Sequence, residues 1–464
     1  MRRPGPRLVC CCVVLAVTGA VAPVATAAPT APPPDDDADN PCVGTMAEPA
    51  DAMTVVSVQG YNPDGTDRPR VVGVGPDGEI EWVHRNGVEM GATWSYDIDP
   101  LDDGYLFVTA TFKRDGEPWS AFYKLDARTG EVVWLEELQL HDTHDADLLD
   151  EHRIVIANMR AYDEETDENS AGLLIYNRTS DEVEWEWDFD DHYDRDVGGP
   201  YEEDWTHLND VDRVGEDKFI ASPRNFDQVV LLNQTTGEIE LTLGEDGNFD
   251  VMERQHQPDY LESEDGDPTF LVADSGNDRI VEYEHTDDGW ENTWNLSGDM
   301  RWTRDADRLP NGNTLIADTV KDRVIEVTPE GEVVWEVYTP HHVYEVERID
   351  TGDESSGPTM ADVDAPEDVE LHGDTDFTPP QVDACERYLT EFENEWPGRP
   401  NATTPGENGS DGSPALGDGT RETPTSAPTT EASADGGSGL PGAGALLALA
   451  GLLLALTLAR RQRR

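Results

Sequence analysis

Short apolar runs dominate the chain between Met53 and Arg348, where helical periodicity is scarce. The runs are rich in Val, Ile, Tyr and Trp, and Gly, Asp and Asn separate them. Apolar and polar residues that alternate between such turn residues are typical of β-strands joined by tight turns. The pattern therefore predicts an all-β domain over residues 53–350.

One phrase recurs along these strands, and each copy is a tight turn that leads into a strand. Its copies are GPDGEIEW (Gly75–Trp82), DARTGEVVW (Asp126–Trp134), NRTSDEVEWEW (Asn177–Trp187), NQTTGEIEL (Asn233–Leu241), TPEGEVVWEV (Thr328–Val337) and, more loosely, EYEHTDDGWENTW (Glu282–Trp294). A repeated turn and strand of this kind indicates an internally repeated fold.

A second phrase places a His, Arg or Tyr just ahead of an acidic residue and opens each repeat. Its markers are Tyr96, His144, His207, His256, Arg304 and His342. Subtraction of neighbouring residue numbers gives spacings of 48, 63, 49, 48 and 38. Periods of about 45–50 residues with about four strands each are the signature of propeller blades.

The two ends of the repeat region complete one another. The last opening phrase, His342–Ile349, has no strands of its own after it, while the first strands, Met53 to about Val83, have no opening phrase. Joining the two makes a sixth blade and hides the edges that an open ring would expose. The sequence therefore predicts an all-β, six-bladed β-propeller that is closed by strands from both chain ends.

Two cysteines flank this domain. Cys10, Cys11 and Cys12 lie in a predicted signal peptide, which leaves Cys42 and Cys385 near the two ends of the folded region. In an oxidising compartment this pair can form one disulfide, and two unpaired buried thiols are the alternative.

The remaining segments predict export and anchoring. A basic start, an apolar run and small residues make residues 1–28 a signal peptide, and the apolar residues 440–459 are long enough to cross a bilayer. The tail also resembles archaeal sorting signals that are exchanged for a lipid, and both alternatives stay open. We expect a secreted protein, anchored at the cell surface by its C-terminus. The other predicted segments are a linker with Cys42 (29–52), an extension with Cys385 (351–396), a disordered Ser/Thr/Pro/Gly-rich stalk (397–439) and a basic cytoplasmic tail (460–464).

The charge is extreme, with 99 acidic and 32 basic residues and a net charge of −67. Such a field argues against nucleic acid and anionic membrane surfaces as partners. An acidic, lysine-poor surface resembles the surfaces of proteins from salt-loving archaea, so we interpret most carboxylates as solvating groups.

Two acidic phrases have carboxylates at intervals similar to those of calcium-binding loops. NPDGTD (Asn62–Asp67) and DIDPLDDG (Asp97–Gly104) fit turns better than calcium loops. We predict neither a metal site nor a cofactor.

The opening phrases supply the candidate site. Tyr96, His144 and Arg304 stand one residue ahead of an acid, whereas His207, His256 and His342 stand three ahead. The two offsets have the same parity, so in a regular inner strand all six side chains share one face. We predict a ring at the mouth of one channel that holds an anionic ligand. The alternative is that these residues only connect one blade to the next by hydrogen bonds.

Several phrases together resemble one enzyme family. DWTHLNDVD, RNFDQVVLLNQTTGEI, RQHQPDYL, DSGNDRIVEY and DRLPNGNTLIADT are similar to arylsulfotransferases of the arylsulfate sulfotransferase type, especially haloarchaeal members, over about residues 53–350. The resemblance implies a ping-pong transfer of a sulfuryl group from a small-molecule aryl sulfate to a phenolic acceptor. A histidine would carry the group transiently.

The resemblance also implies roles for individual residues. His207, His256 and the Arg279 of DSGNDR match family positions, and we take His207, His256 and His342 as candidate catalytic residues. Arg279, Arg304, His144 and Tyr96 are the candidate substrate-binding residues. Related sequences tend to place a further His ahead of LPNGNTL, where this chain has Trp302. A propeller that binds anionic or aromatic ligands without turnover is therefore the alternative, followed by a structural role in the envelope. The oligomeric state stays open.

Overall fold

The computed structural model describes residues 40–395, except 62–67, 102–103, 128–129 and 353. The predicted signal peptide, stalk, membrane helix and basic tail lie outside the described residues, as does the NPDGTD phrase. Within the described part of the chain, no helix is long and apolar enough to cross a membrane.

Strands form most of the described chain. In chain order the first are β1 (Val43–Met46), β2 (Thr54–Val58), β3 (Arg70–Val74), β4 (Ile80–His84), β5 (Ala92–Leu101), β6 (Tyr105–Arg114), β7 (Glu117–Asp126), β8 (Val132–Leu138), β9 (Ala146–Leu148), β10 (Arg153–Asn158), β11 (Tyr162–Asp163), β12 (Glu168–Asn169), β13 (Gly172–Asn177) and β14 (Glu182–Asp188). The others are β15 (Leu208–Val214), β16 (Lys218–Pro223), β17 (Gln228–Asn233), β18 (Ile239–Gly244), β19 (His256–Glu262), β20 (Pro268–Asp274), β21 (Arg279–Thr286), β22 (Gly289–Ser297), β23 (Thr303–Arg308), β24 (Thr314–Asp318), β25 (Arg323–Val327), β26 (Val333–Tyr338), β27 (Val343–Arg348) and β28 (Asp368–Glu370).

Helices are few. The two α-helices are α1 (Asn86–Glu89) and α2 (Pro379–Glu395), and short 3-10 turns occupy Phe189–Asp191, Arg224–Phe226, Ser275–Asn277 and Thr319–Lys321.

Six antiparallel sheets follow one another along the chain and confirm the predicted six-bladed, propeller-like arrangement. Blade 1 is β27-β2-β3-β4, blade 2 is β5 to β8, and blade 3 is β9-β10-β13-β14. Blades 4, 5 and 6 begin with β15, β19 and β23 and each take the next three strands. In blade 1, β27 pairs with β2 (Val346 opposite Val56), so strands from both chain ends close the ring as predicted.

The segments outside the repeats extend two blades. Strand β1, which lies in the predicted linker, pairs with β26 at the outer edge of blade 6, with Val43 opposite Val337. Strand β28 pairs in parallel with β22 of blade 5. A strand as short as β1 has no periodicity to detect in the sequence, and it covers an edge that would otherwise expose unpaired backbone groups.

Cys42 and Cys385 form a disulfide with an S–S distance of 2.05 Å and a Cα–Cα distance of 4.8 Å. Both cysteines are buried in one core cluster with Val337 of blade 6 and Leu389 of α2. The bond therefore joins the N-terminal strand β1 to the C-terminal helix beside the closing blade.

The tryptophans of the repeated phrase connect neighbouring blades. Three buried tryptophans each donate the indole N–H to a backbone carbonyl within the next copy of the turn phrase. They are Trp187 to Gly237 (2.9 Å), Trp294 to Pro329 (3.1 Å) and Trp335 to Pro76 (3.2 Å). Each indole thus buries a large apolar surface and satisfies its one polar group at the same contact.

Candidate active site on the propeller axis

The innermost strand of each blade is the one that carries the opening phrase, as predicted. These strands are β5, β9, β15, β19, β23 and β27. The inner strands are not regular at the predicted site residues, however. The pairing register shifts between Leu208 and Val211, between His256 and Pro258, and between Thr303 and Asp305. The assumption that parity alone places both offsets on one face is therefore wrong.

Left-handed backbone conformations accompany these irregularities. His207 has a φ of 42°, Trp302 of 53° and His342 of 66°. Residues other than glycine rarely adopt such φ values. Where they do, the surrounding structure imposes the conformation, and such positions are often found at functional sites. A bulge redirects a side chain, so the convergence described next depends on local backbone geometry as well as on alternation.

Four of the predicted residues come together around one tyrosine. The ring centroid of His144 lies 4.3 Å from that of Tyr96 and 5.3 Å from that of His207. The Tyr344 ring lies 4.9 Å from Tyr96, 5.7 Å from His144 and 6.4 Å from His256. We call Tyr96, His144, His207, His256 and Tyr344 the axial ring.

Arg304 adds a positive charge to this cluster. Its guanidinium carbon lies 4.9 Å from the centroid of Tyr344, within cation–π distance, and Nη1 donates a hydrogen bond to Gln59 Oε1 at 2.9 Å. Arg304 also contributes to lowering the pKa of His144, His207, His256 and His342. Its charge therefore acts on all four histidines.

Tyr344 was missed by the sequence analysis. It stands one residue ahead of Glu345, the same offset that Tyr96, His144 and Arg304 have from their acids. His342, which stands three positions ahead of Glu345, was taken as the marker of this phrase instead. Applying the offset of one to the last phrase would have identified Tyr344.

His342 lies at the margin of the cluster. Its half-buried ring stacks on Tyr61 with centroids 5.0 Å apart, and its backbone N–H donates to Asp322 Oδ1 at 2.7 Å. Burial, then Arg304 and His341, lowers the pKa of His342 to about 4. Its catalytic role stays a prediction.

Arg279 occupies a different place from the other candidates. It begins β21, two strands out from the axis, where Nε donates to Asp274 Oδ2 at 2.7 Å and Nη2 donates to the carbonyls of Asp250 and Val251. Arg323 repeats the arrangement in blade 6, where it bonds Asp318 and the Asp299 carbonyl. In both blades the arginine therefore holds the loop that leads into the blade, and the predicted substrate contact of Arg279 stays a prediction.

The hydrogen bonds of His256 define its tautomer. Nδ1 lies 3.1 Å from the Arg254 carbonyl and 2.7 Å from Ser275 Oγ. Because a carbonyl can only accept, and because Ser275 Oγ donates to the Thr303 carbonyl at 2.5 Å, Nδ1 carries the proton. The neutral ring therefore has its lone pair on Nε2.

His207 and His144 are held in the same way. Nδ1 of His207 lies 2.8 Å from Asp204 Oδ1, and Nδ1 of His144 lies 2.9 Å from Asn209 Oδ1. The Asn209 amide nitrogen donates to the Gln255 carbonyl, which orients its oxygen toward His144. Each of these rings thus donates through Nδ1 and keeps Nε2 as the basic atom.

Burial and positive neighbours keep these imidazoles neutral. Burial, followed by Arg304 and Arg224, lowers the pKa of His256 well below its usual value, and burial with Arg224 does the same for His207. Burial is also the main reason that the pKa of His144 falls to about 4. A neutral imidazole next to fixed cations can attack an electrophile while the cations hold its anionic oxygens.

Acidic residues directly follow Tyr96, His144, Arg304 and Tyr344 along the chain. Asp97, Asp145, Asp305 and Glu345 are buried, and each accepts a hydrogen bond from the backbone N–H of an inner strand in the next blade. The donors are Ala146 (3.2 Å), Val211 (3.3 Å), Val346 (2.8 Å) and Ile98 (3.0 Å) in that order. These acids connect neighbouring blades, so the expectation that they are solvating groups is wrong. The expectation of a turn at Asp97 and Asp99 is also wrong, because both lie in β5.

The comparisons with known structures are weak. A protein of unknown function from Bacteroides caccae is 13% identical over 65% of this chain and 100% of its own length, with a TM-score of 0.45. A putative 6-phosphogluconolactonase from Bacteroides fragilis is 12% identical over 65% of this chain and 99% of its own, with a TM-score of 0.42. Similarities at this level carry no argument about function, and no curated protein matches the chain.

A family comparison is more informative. The model of the family described as Arylsulfotransferase (ASST) matches residues 62–270. This span holds Tyr96, His144, His207 and His256 of the axial ring and ends before Arg304. The matched part of the chain therefore carries an arylsulfotransferase-type sequence and supplies most of the buried histidine cluster on the axis.

Proposed function

We propose that this protein transfers a sulfuryl group from a phenolic sulfate ester to a phenol acceptor, with His256 as the transient carrier. One observation carries the proposal most strongly. His256 is a buried, neutral imidazole whose Nδ1 proton is held by Arg254 and Ser275, next to the cationic Arg304. The arylsulfotransferase match over residues 62–270 supports the same reaction class.

The chemistry follows from the lone pair on Nε2 of His256. Attack of Nε2 on the donor sulfur forms an N–S bond and breaks the S–O bond, so that the aryl group leaves as a phenolate. A phenol acceptor then attacks the same sulfur and releases His256. Both displacements take place at the same site, as is characteristic of a ping-pong mechanism.

The neighbours of His256 supply charge and proton transfer. Arg304 holds the sulfuryl oxygens while negative charge moves to the leaving oxygen. Asp204 orients His207 through Nδ1, which leaves Nε2 to accept the proton of the acceptor phenol. His207 then releases that proton to the surroundings, because its lowered pKa favours the neutral imidazole.

Aromatic side chains near the ring suit an aryl substrate. The ring of Trp302 lies 6.1 Å from that of His256, and Tyr61 stacks on His342. Trp302 stands where related sequences tend to have a histidine, and in the proposed mechanism it is an apolar wall for the aryl ring. Its presence also favours the second candidate function, a propeller that binds aryl sulfates without turnover.

The first test is turnover by the purified full chain. We expect 4-nitrophenolate release from 4-nitrophenyl sulfate that depends on added phenol, together with phenyl sulfate detected by mass spectrometry. Release without phenol at the same rate would indicate hydrolysis and contradict the transferase. Binding of 4-nitrophenyl sulfate without release from it or other aryl sulfates would establish the binding propeller instead.

The pH dependence of the reaction is a further prediction. Because burial and Arg304 lower the pKa of His256, its imidazole stays neutral as the pH falls through 6.5, where a free histidine gains a proton. We expect kcat/KM for the donor to stay level from about pH 8 to below pH 6 and to decline only at lower pH. In Arg304→Gln the acidic limb should move to higher pH because a repelling charge is gone. A wild-type midpoint near pH 6.5 would contradict the depressed pKa.

A further inference from the structure

Three groups of closely spaced carboxyl groups lie on the inner strands or directly next to them. They are Asp97 with Asp99 and Glu345, Asp145 with Asp210 and Asp212, and Asp305 with Asp307 and Glu347, and within each group the candidate ligand atoms lie within 4.8 Å of one another. Acidic residues in proximity do not by themselves make a binding site. The second of these groups, however, includes a buried carboxyl oxygen without a donor, and a second buried atom without a partner lies in the axial ring.

Asp210 lacks the hydrogen bond that connects four other inner-strand acids to the next blade. Asp97, Asp145, Asp305 and Glu345 each accept a backbone N–H from the following blade. Asp210 is 1% exposed, and its Oδ2 accepts no hydrogen bond from an N–H or hydroxyl group of the described residues, while the carboxyl group of Asp212 lies beside it. A buried carboxylate oxygen without a partner requires an explanation, such as an ion or a water molecule.

The hydroxyl of Tyr344 is the second unpartnered atom. The side chain is fully buried, and its Oη has no hydrogen-bond partner among the residues that the structure describes. Burial, and then Asp145, Glu345 and Asp210, raises the pKa of Tyr344. Tyr344 belongs to blade 1, whereas Asp145 and Asp210 belong to blades 3 and 4. Its hydroxyl therefore lies within electrostatic reach of carboxyl groups from blades other than its own.

We propose that Asp145, Asp210 and Asp212 bind a divalent cation, with the hydroxyl of Tyr344 as a further oxygen donor. Carboxylate and hydroxyl oxygens select hard cations such as Ca²⁺ rather than soft transition metals. Two oxygens on opposite sides of one Ca²⁺ are about 4.6–5.2 Å apart, because each Ca²⁺–oxygen distance is about 2.3–2.6 Å. The 4.8 Å limit within the group fits that geometry.

The cation would compensate a charge arrangement that is otherwise unfavourable. Two buried carboxylates and a partly buried one at this spacing repel one another and lose hydration. Asp145 directly follows His144 of the axial ring, so the group also lies close to the site that the proposed function assigns to an anionic sulfate. A divalent cation at this depth offsets that negative potential. The binding of the cation itself does not depend on sulfuryl transfer.

The C-terminal extension closes this part of the channel. Ser355 donates its backbone N–H to Asp259 Oδ2 at 3.1 Å, and the side chain of Glu354 lies within hydrogen-bonding reach of Asp212 and Asp259. The segment therefore brings another carboxyl group to the site rather than a lysine or arginine. An extension that adds negative charge here is consistent with a cation in the channel.

The test is calcium binding by the purified full chain after dialysis against EDTA. We expect titration calorimetry at fixed ionic strength to show one Ca²⁺ site of clearly higher affinity than any background, and Ca²⁺ to raise the unfolding temperature more than Mg²⁺ does. In Asp210→Asn the affinity should fall by at least about tenfold, because one charged ligand is lost. Tyr344→Phe should weaken binding by a smaller factor.

A matched control separates this site from the general attraction of an acidic protein for cations. Asp265 is exposed, so Asp265→Asn removes the same charge at the surface and should bind Ca²⁺ as the wild type does. Asp210→Asn should also be more resistant to unfolding than the wild type in EDTA, because repulsion is relieved. Absence of a stoichiometric site in the wild type, or equal affinities in Asp210→Asn and Asp265→Asn, would overturn the proposal in favour of carboxyl groups neutralised by protons or water alone.

Discussion

Replacing His256 with alanine is expected to reduce phenol-dependent release of 4-nitrophenolate by at least about a thousandfold. The physical reason is that Nε2 of His256 is the atom that forms the N–S bond, and the held Nδ1 proton makes it available without a prior proton transfer. Rates measured with saturating donor and acceptor provide the comparison. Circular dichroism and the unfolding midpoint would verify that the variant is folded.

Two further variants test whether the loss of activity is specific to the His256 imidazole. His152 is exposed and away from the inner strands, so His152→Ala should keep wild-type activity. Ser275→Ala removes an acceptor for Nδ1 while leaving the imidazole, and we expect kcat to fall by about tenfold with KM little changed, as for other supporting hydrogen bonds. If His256→Ala retained substantial turnover and a sulfuryl adduct were found on His342 or His207 by mass spectrometry, His256 would not be the carrier.

Removal of the Cys42–Cys385 disulfide is expected to destabilise the protein by about 3–5 kcal/mol. The two cysteines are 343 residues apart in sequence, so the bond closes almost the whole described chain into one loop and restricts the unfolded state strongly. It also joins β1 to α2 beside blade 1, whose strands come from both chain ends. Urea unfolding of a Cys42→Ala/Cys385→Ala variant, followed by tryptophan fluorescence, measures the change.

Reducing agent supplies the control for this second prediction. It should lower the unfolding midpoint of the wild type toward that of the double variant and leave the double variant unchanged. Equal midpoints for the oxidised wild type and the double variant would show that the paired strands β27 and β2 alone are sufficient to hold the ring closed.

The architecture was largely predictable because a propeller repeats its local chemistry. Each turn phrase forms a tight turn. In three blades its backbone carbonyl also accepts the indole N–H of the tryptophan from the previous blade, as at Gly237, Pro329 and Pro76. The unpaired strands at the two ends of the repeat region also predicted the closing blade. Strand β1 was not predictable, because four residues in an acidic, proline-rich context show no alternation.

The site was only partly predictable, since its residues approach through departures from regular structure. The opening phrases correctly predicted that His144 and Tyr96 come together, but regular alternation does not explain it, because the register shifts between Ser95 and Ile98 and β9 begins only at Ala146. Bulges also lie next to His207 and His256. The motif around Arg279 suggested a substrate contact, yet Arg323 makes the same bonds in the next blade. A motif that recurs at a structural position cannot be distinguished from a functional one without the contacts.

The sequence by itself determined the blade count, the closure of the ring by both ends, the two cysteines available for a disulfide and the set of histidines available for chemistry. Period and turn composition are local properties, and they are written directly in the order of residues. Only the tertiary structure decided that Tyr344 lies at the centre of the axial ring, that Ser275 and Arg254 hold the Nδ1 proton of His256, and that Asp145, Asp210 and Asp212 lie close together. The first and the last of these relations join residues from different blades, and the distance between two such residues depends on how six sheets pack around one axis.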